Sequence, residues 1–151
     1  MSHASASSSV SRLAAQATTH CLTGCVIGEV LGLVIATWLG LAVGPSVVLA
    51  IALAFLFGYV LTMVPLVRAG TPVREALGLA LAADTLSIIV MELVDNAILL
   101  AVPGAMAAGL GDPRFWATLA VGFAIAWPLT FVVNRWLIAR GRGHAILHHG
   151  G

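Results

Sequence analysis

Residues 71–104 read TPVREALGLALAADTLSIIVMELVDNAILLAVPG. The stretch opens on Thr71, an N-cap residue, with Pro72 in the first helical position, where the missing N–H of proline costs nothing. It closes on Pro103-Gly104, a pair that stops a helix. The apolar run between these signals exceeds the ~20 residues a helix needs to cross a ~30 Å hydrocarbon layer. Yet Asp84, Glu92 and Asp95 lie inside it. An ionised carboxyl near the centre of a membrane helix costs roughly 2.5–3.5 kcal/mol, so a helix carrying three of them cannot face lipid on all sides. It has to be one member of a bundle that turns its acids inward.

Working outward, three more runs have the required length. The first spans 19–43 and stops at Gly44-Pro45. The second, 46–67, starts on Ser46 as N-cap and has Pro65 in its last turn. The last, 113–140, opens on Asp112-Pro113, again a cap followed by proline. With 72–102 they predict an all-α polytopic membrane protein, a four-transmembrane-helix bundle over residues 19–140. It is flanked by a flexible Ser/Ala/Thr-rich tail at 1–18 and a His-containing tail at 141–151. Composition agrees. The chain has 151 residues, 60% hydrophobic and 9% charged, where soluble domains carry roughly 25% charged residues. The lipid bilayer must cover what charge does not.

All seven basic residues are arginines and the net charge is +1, which excludes the basic footprint of a nucleic-acid binder. With four spans, Arg12, Arg68, Arg74, Arg135, Arg140 and Arg142 share one side, and only Arg114 lies on the other. The positive-inside rule then places both termini in the cytoplasm of a bacterial inner-membrane protein. Trp136 on the inner side, with Trp38 and Trp116 on the outer, suits an interfacial aromatic belt. The N-terminal stretch has no apolar region ahead of a cleavage site. Leu22-Thr23-Gly24-Cys25 looks like a lipoprotein box, but its hydrophobic stretch follows the cysteine. The first span therefore reads as an uncleaved insertion signal.

Of six acidic residues, Glu29, Asp84, Glu92 and Asp95 fall within spans. Asp84, Ile88, Met91 and Asp95 share one helical stripe, with Thr85, Glu92 and Asn96 on the next. The first span has a matching stripe, Cys21, Cys25 and Glu29 at i, i+4 and i+8, with His20 at the rim. Beside it runs the ladder Gly24-x-x-x-Gly28-x-x-x-Gly32, a packing seam for close helix approach within the bundle or across a homodimer. Counted at 1.5 Å per residue from the span starts, Cys25 and Glu29 are expected level with Asp84, Thr85, Tyr59, Thr62 and Met63. Glu92, Asp95 and Asn96 continue outward as a polar track. Only Arg135 is placed to neutralise any of these acids. Three readings remain: a bound cation, carboxyls kept neutral by burial, or acids that merely lock the bundle through hydrogen bonds to Thr, Asn and Tyr.

The motif string His20-Cys21-Leu22-Thr23-Gly24-Cys25 with Gly28-Glu29, Ala83-Asp84-Thr85, Met91-Glu92, Asp95-Asn96, Asn134-Arg135-Trp136 and Gly143-His144 resembles an uncharacterised bacterial integral membrane family. That family is a domain of unknown function, some of whose members are labelled copper oxidase. The resemblance covers roughly residues 18–149 and implies a four-helix membrane domain without an assigned activity.

Thiolate, thioether and imidazole donors favour Cu(I) or Zn(II). The leading expectation is thus a soft-metal-binding or metal-carrying membrane protein, with copper or zinc held by Cys21, Cys25, His20 and Met63, and Glu29 and Asp84 as outer ligands or proton acceptors. The alternative is a proton relay of Glu29, Asp84, Glu92 and Asp95 in a proton-coupled small-solute transporter or a subunit supporting a redox complex. Pro128, which leaves the carbonyl of Ala124 without its helical donor, would serve it as a hinge or ligand. Without a phosphate loop, a His-Glu-x-x-His or a nucleophile elbow, no soluble-type enzyme is expected. His144 and His148, four apart, read as solvated tail residues beside glycines.

Overall fold

The computed structural model describes residues 2–140 and contains four helices: α1 (Ser2–Leu39), α2 (Val43–Arg68), α3 (Val73–Ala101) and α4 (Pro113–Ala139). All four are long and apolar enough to cross a membrane, so the chain is a multi-pass membrane protein built as an all-α four-helix bundle. Each helix packs on its two sequence or ring neighbours, and α1 also meets α3 across the diagonal. Short connections force alternate directions, so the start of α1 and the end of α4 lie at one end of the bundle. There Arg135 reaches Ser7 at 3.3 Å.

Three helix ends differ from expectation. Helix α1 begins at Ser2, so most of the stretch expected as a flexible tail is helical, and Ala14, Ala17 and Thr18 are buried. Ala and Gln cost little as helix formers, and Ser5, Ser7, Ser8 and Ser9 are exposed, two of them bonding carbonyls three residues back. At its other end α1 stops at Leu39, where Gly40 takes a positive φ of 66° that terminates the helix. Gly44-Pro45 then lies in the first turn of α2, where proline lacks only a donor that would have no partner. The caps of the third and fourth helices fall within a residue of expectation, and the Asp112 side chain accepts from the Arg114 N–H at 2.9 Å.

The glycine ladder of α1 has its counterpart inside the chain. Gly24 faces Gly58, Gly28 faces Ala54 and Gly32 faces Ala50, each pair four residues forward on α1 and four back on α2. A β-carbon on Gly24 would lie 2.8 Å from the Gly58 Cα, and one on Gly32 would lie 2.5 Å from the Ala50 Cα. These helices touch backbone to backbone. The seam is filled by α2, which is the within-bundle alternative of the two expected, so these glycines are not open to a second copy. The apolar core continues to the end away from the termini through Met91, Leu99, Phe115 and Leu119, where Ala105 of the α3–α4 connection closes it. Outside, Trp38, Trp116 and Trp136 are exposed near the bundle ends, and Arg140 lies over the Trp136 ring at 4.5 Å, as suits interfacial anchors.

Candidate functional site

Polar residues inside the bundle form two tiers. The tier nearer the termini is linked by hydrogen bonds between helices. Ser87 of α3 donates to Asn134 of α4, whose amide donates to Thr18 of α1 at 3.0 Å, and Thr18 donates to the Ala14 carbonyl at 2.7 Å. Thr62 of α2 lies 3.2 Å from His20 Nε2 and hydrogen-bonds Asp84. One arrangement serves all three: the Thr62 hydroxyl donates to Asp84 and accepts from the imidazole N–H. Tyr59 meets Thr85 at 2.7 Å, and Thr85 donates to the Leu81 carbonyl at 2.6 Å. Such interhelical networks fix helix positions.

The second tier lies farther from the termini and has too few donors. Glu29 of α1 lies against Asp95 of α3, with Glu92 close enough to act on both. Exposure is 1% for Glu29, 3% for Glu92 and 0% for Asp95. Apart from one another and the Cys25 thiol, Glu29 Oε2, Glu92 Oε1 and both Asp95 oxygens meet no hydrogen-bond partner among the described residues. The Asn96 amide donates to the Glu92 carbonyl at 2.9 Å and to Glu92 Oε2 at 3.3 Å. Cys25 lies beside Glu92, and its sulfur is 4.0 Å from that of Cys21. Gly122 makes room for this tier from α4, since a β-carbon there would run into Asp95 Oδ1.

All the described arginines are exposed. Arg135, expected to neutralise an acid, instead donates to Ser7 at the surface. Two ionised carboxylates in contact without a cation would repel strongly at low dielectric. The contact between Glu29 and Asp95 is attractive only with a proton or a cation between them.

Of the residues assigned to a soft-metal site, Cys21, Cys25 and Glu29 share the buried α1 face. His20 and Asp84 join through Thr62 in the other tier. Met63 lines a surface groove with Val60, Val64, Val67 and Arg68. No three of the described His, Cys, Asp and Glu residues are grouped to hold one metal ion. Two thiols 4.0 Å apart can both reach an ion at ~2.3 Å. That donor set suits a two-coordinate soft ion, and it does not complete a four-coordinate zinc centre.

Levels differ too. Cys25 and Glu29 were expected opposite Asp84 and Thr85, whereas they meet Glu92 and Asp95, two to three turns farther along α3. Counting from Thr19 started α1 too late, because the helix begins at Ser2. Thr18, Ser87 and Gly122, and the stripe Ala50, Ala54, Gly58 and Thr62, were not singled out as a group. The i, i+4 spacing of small residues on α2 was the signal that could have found the stripe. His144 and His148 lie outside the described residues.

A family model described as Domain of unknown function (DUF4396) matches residues 11–143. No curated protein and no solved structure matches the chain.

Proposed function

The chain belongs to the DUF4396 family, and since that membership brings no activity with it, we propose from the geometry that this protein handles protons within the membrane. The observation that carries the reading is the contact of Glu29 with Asp95, buried beside Glu92 and away from every described arginine. Glu29 and Asp95 hold a proton between them, and Glu92 is the next acceptor. Intramembrane carboxyls in pumps and transporters form relays of this kind. The role is that of a proton-coupled small-solute transporter or of a membrane subunit supplying protons to a redox partner. The arginine asymmetry supports a bacterial inner membrane with both termini cytoplasmic.

Reconstitution into vesicles containing a pH-sensitive dye tests this. Under an imposed pH gradient the wild type should move protons faster than protein-free vesicles. Asp95→Asn, with its helical content intact, should reduce the excess at least tenfold. Protein-dependent flux that is absent, or the same in Asp95→Asn, would sink the proposal.

A second reading rests on the sulfur pair. Cys21 and Cys25, both buried and 4.0 Å apart, would hold a soft ion such as Cu(I) through two thiolates, and binding would release thiol protons beside Glu92. Metal analysis after copper loading should give about one ion per chain in the wild type and none in Cys21→Ser/Cys25→Ser. Equal, sub-stoichiometric metal in both would remove this reading.

A further inference from the structure

At the end of the bundle away from the termini, a recess of about 160 Å³ opens between the two connections that meet there. Leu33 and Thr37 of α1, Leu41 of the first connection, Ser46 of α2, Met106 of the α3–α4 connection and Phe115 of α4 line it. Trp38 and Trp116, both exposed, stand next in sequence to Thr37 and Phe115, and tryptophan favours the membrane–water boundary. The rim of the recess therefore meets water. Its walls can be wetted as well. The Thr37 hydroxyl donates to the Leu33 carbonyl and the Ser46 hydroxyl to the Ala42 carbonyl, each at 2.8 Å, so both hydroxyl oxygens keep their acceptor lone pairs. The volume has room for a few waters at roughly 30 Å³ each.

The floor of the recess lies close to the carboxyl cluster. Glu29, Leu33 and Thr37 follow at i, i+4 and i+8 on one face of α1. Leu33 is packed against the core one turn beyond Glu29, a rise of ~6 Å. Asp95 stands only six residues before the end of α3 at Ala101, a rise of ~9 Å. In the other direction it lies 22 residues from the start of α3 at Val73, or ~33 Å. On that side Ile88 and Met91, both fully buried, lie between Asp84 and Glu92 along α3. The short way from the Glu29–Asp95 contact to water leads away from the termini, and Leu33 stands on it.

We infer that this recess is the aqueous mouth through which the carboxyl cluster exchanges protons with the side of the membrane opposite the termini, sealed by Leu33. The inference rests on the proton-handling reading above and adds a side and a route to it. No titratable side chain lines the recess, so it passes protons on without holding them. Leucine offers neither donor nor acceptor, and exchange proceeds when its side chain turns aside and water reaches Glu29.

Thr37→Cys in the vesicle assay tests the route, with membrane-impermeant methanethiosulfonates, one cationic and one anionic, present on both sides. Attachment at position 37 fills the recess and leaves every carboxyl in place. Either reagent should cut the Asp95-dependent proton flux at least fivefold, and dithiothreitol should restore it. Cys21 and Cys25 are buried, so the wild type should not respond. Ser8→Cys, exposed at the other end of the bundle, should be modified without loss of flux. Leu33→Ser should raise the flux at least threefold, and Leu33→Ser/Asp95→Asn should return it to the level of Asp95→Asn. Full flux through modified Thr37→Cys, or failure of that thiol to react, would overturn the mouth, while Asp95-dependent flux in the wild type would leave the proton-handling reading standing. A gain in Leu33→Ser that survives the loss of Asp95, or no gain at all, would overturn the seal. A wild type without Asp95-dependent flux would remove both readings.

Discussion

Asp95 shows how little freedom a buried carboxyl has here. It is fully buried, it meets Glu29 from across the bundle, and Gly122 presents bare backbone to it from α4. Gly122→Ala would place a methyl group where Asp95 Oδ1 now lies. Asp95 cannot retreat without moving Glu29. The expected result is a loss of about 1–3 kcal/mol, the usual cost of overpacking, read as a lower melting temperature in detergent. Removing the obstructing group should restore part of it, so Gly122→Ala/Asp95→Ala should melt above Gly122→Ala alone, a coupling that a double-mutant cycle measures. Costs that merely add would show that Gly122 and Asp95 do not press on each other. The tier nearer the termini behaves differently, because Ser87, Asn134 and Thr18 satisfy one another.

Among the elements, α1 and α2 form the tightest pair, since their contact stripes consist of Gly24, Gly28 and Gly32 against Gly58, Ala54 and Ala50. A methyl group at Gly28 meets the Ala54 backbone, which has nowhere to go. Gly28→Ala should therefore destabilise the protein by about 1–3 kcal/mol. Gly78, exposed on α3 with nothing near an added β-carbon, provides the control. Gly78→Ala should leave stability unchanged or raise it by up to about 1 kcal/mol, the helix-propensity difference. Thermal melts of the two variants side by side check both. The existence of these elements was legible from apolar length and from Pro/Gly punctuation, most clearly at Asp112-Pro113. Their relative heights were not. Periodicity tells which face of α1 holds Cys25 and Glu29, but a slide of two to three turns along α3 preserves every face. The level was set by where α1 begins, at Ser2, and a Ser/Ala-rich segment carries no sharp start signal. The carboxyl contact was thus half visible: its members were named from their cost in lipid, and their pairing came only with the packing.

For the whole molecule, the four helices place the start of α1 and the end of α4 at one end of the bundle. Cys21 and Cys25 are buried, so the native protein offers no thiol to a membrane-impermeant maleimide, and introduced cysteines can report sidedness. Ser8→Cys, exposed near the start of α1, and Gly109→Cys, exposed in the α3–α4 connection, should label from opposite sides of the membrane. In spheroplasts the arginine asymmetry predicts that Gly109→Cys reacts and Ser8→Cys does not. Reaction of Ser8→Cys alone would reverse the assignment, and reaction of both from outside would overturn the placement of the two sites on opposite sides.

The placement of acids on the diagonal helices also constrains the order in which the protein can be made. Helices α1 and α2 carry one buried acid between them, Glu29, and close on each other through backbone contact. Helix α3 brings Asp84, Glu92 and Asp95 in a single span, and each costs kilocalories while it faces lipid alone. Leaving the ribosome third, it meets a finished hairpin that already offers Thr62 to Asp84 and Glu29 to Asp95. The first hairpin is then a template for biogenesis as well as a wall of the site. A nascent chain that lost the α1–α2 seam would present its acids to the insertion machinery before any partner was in position.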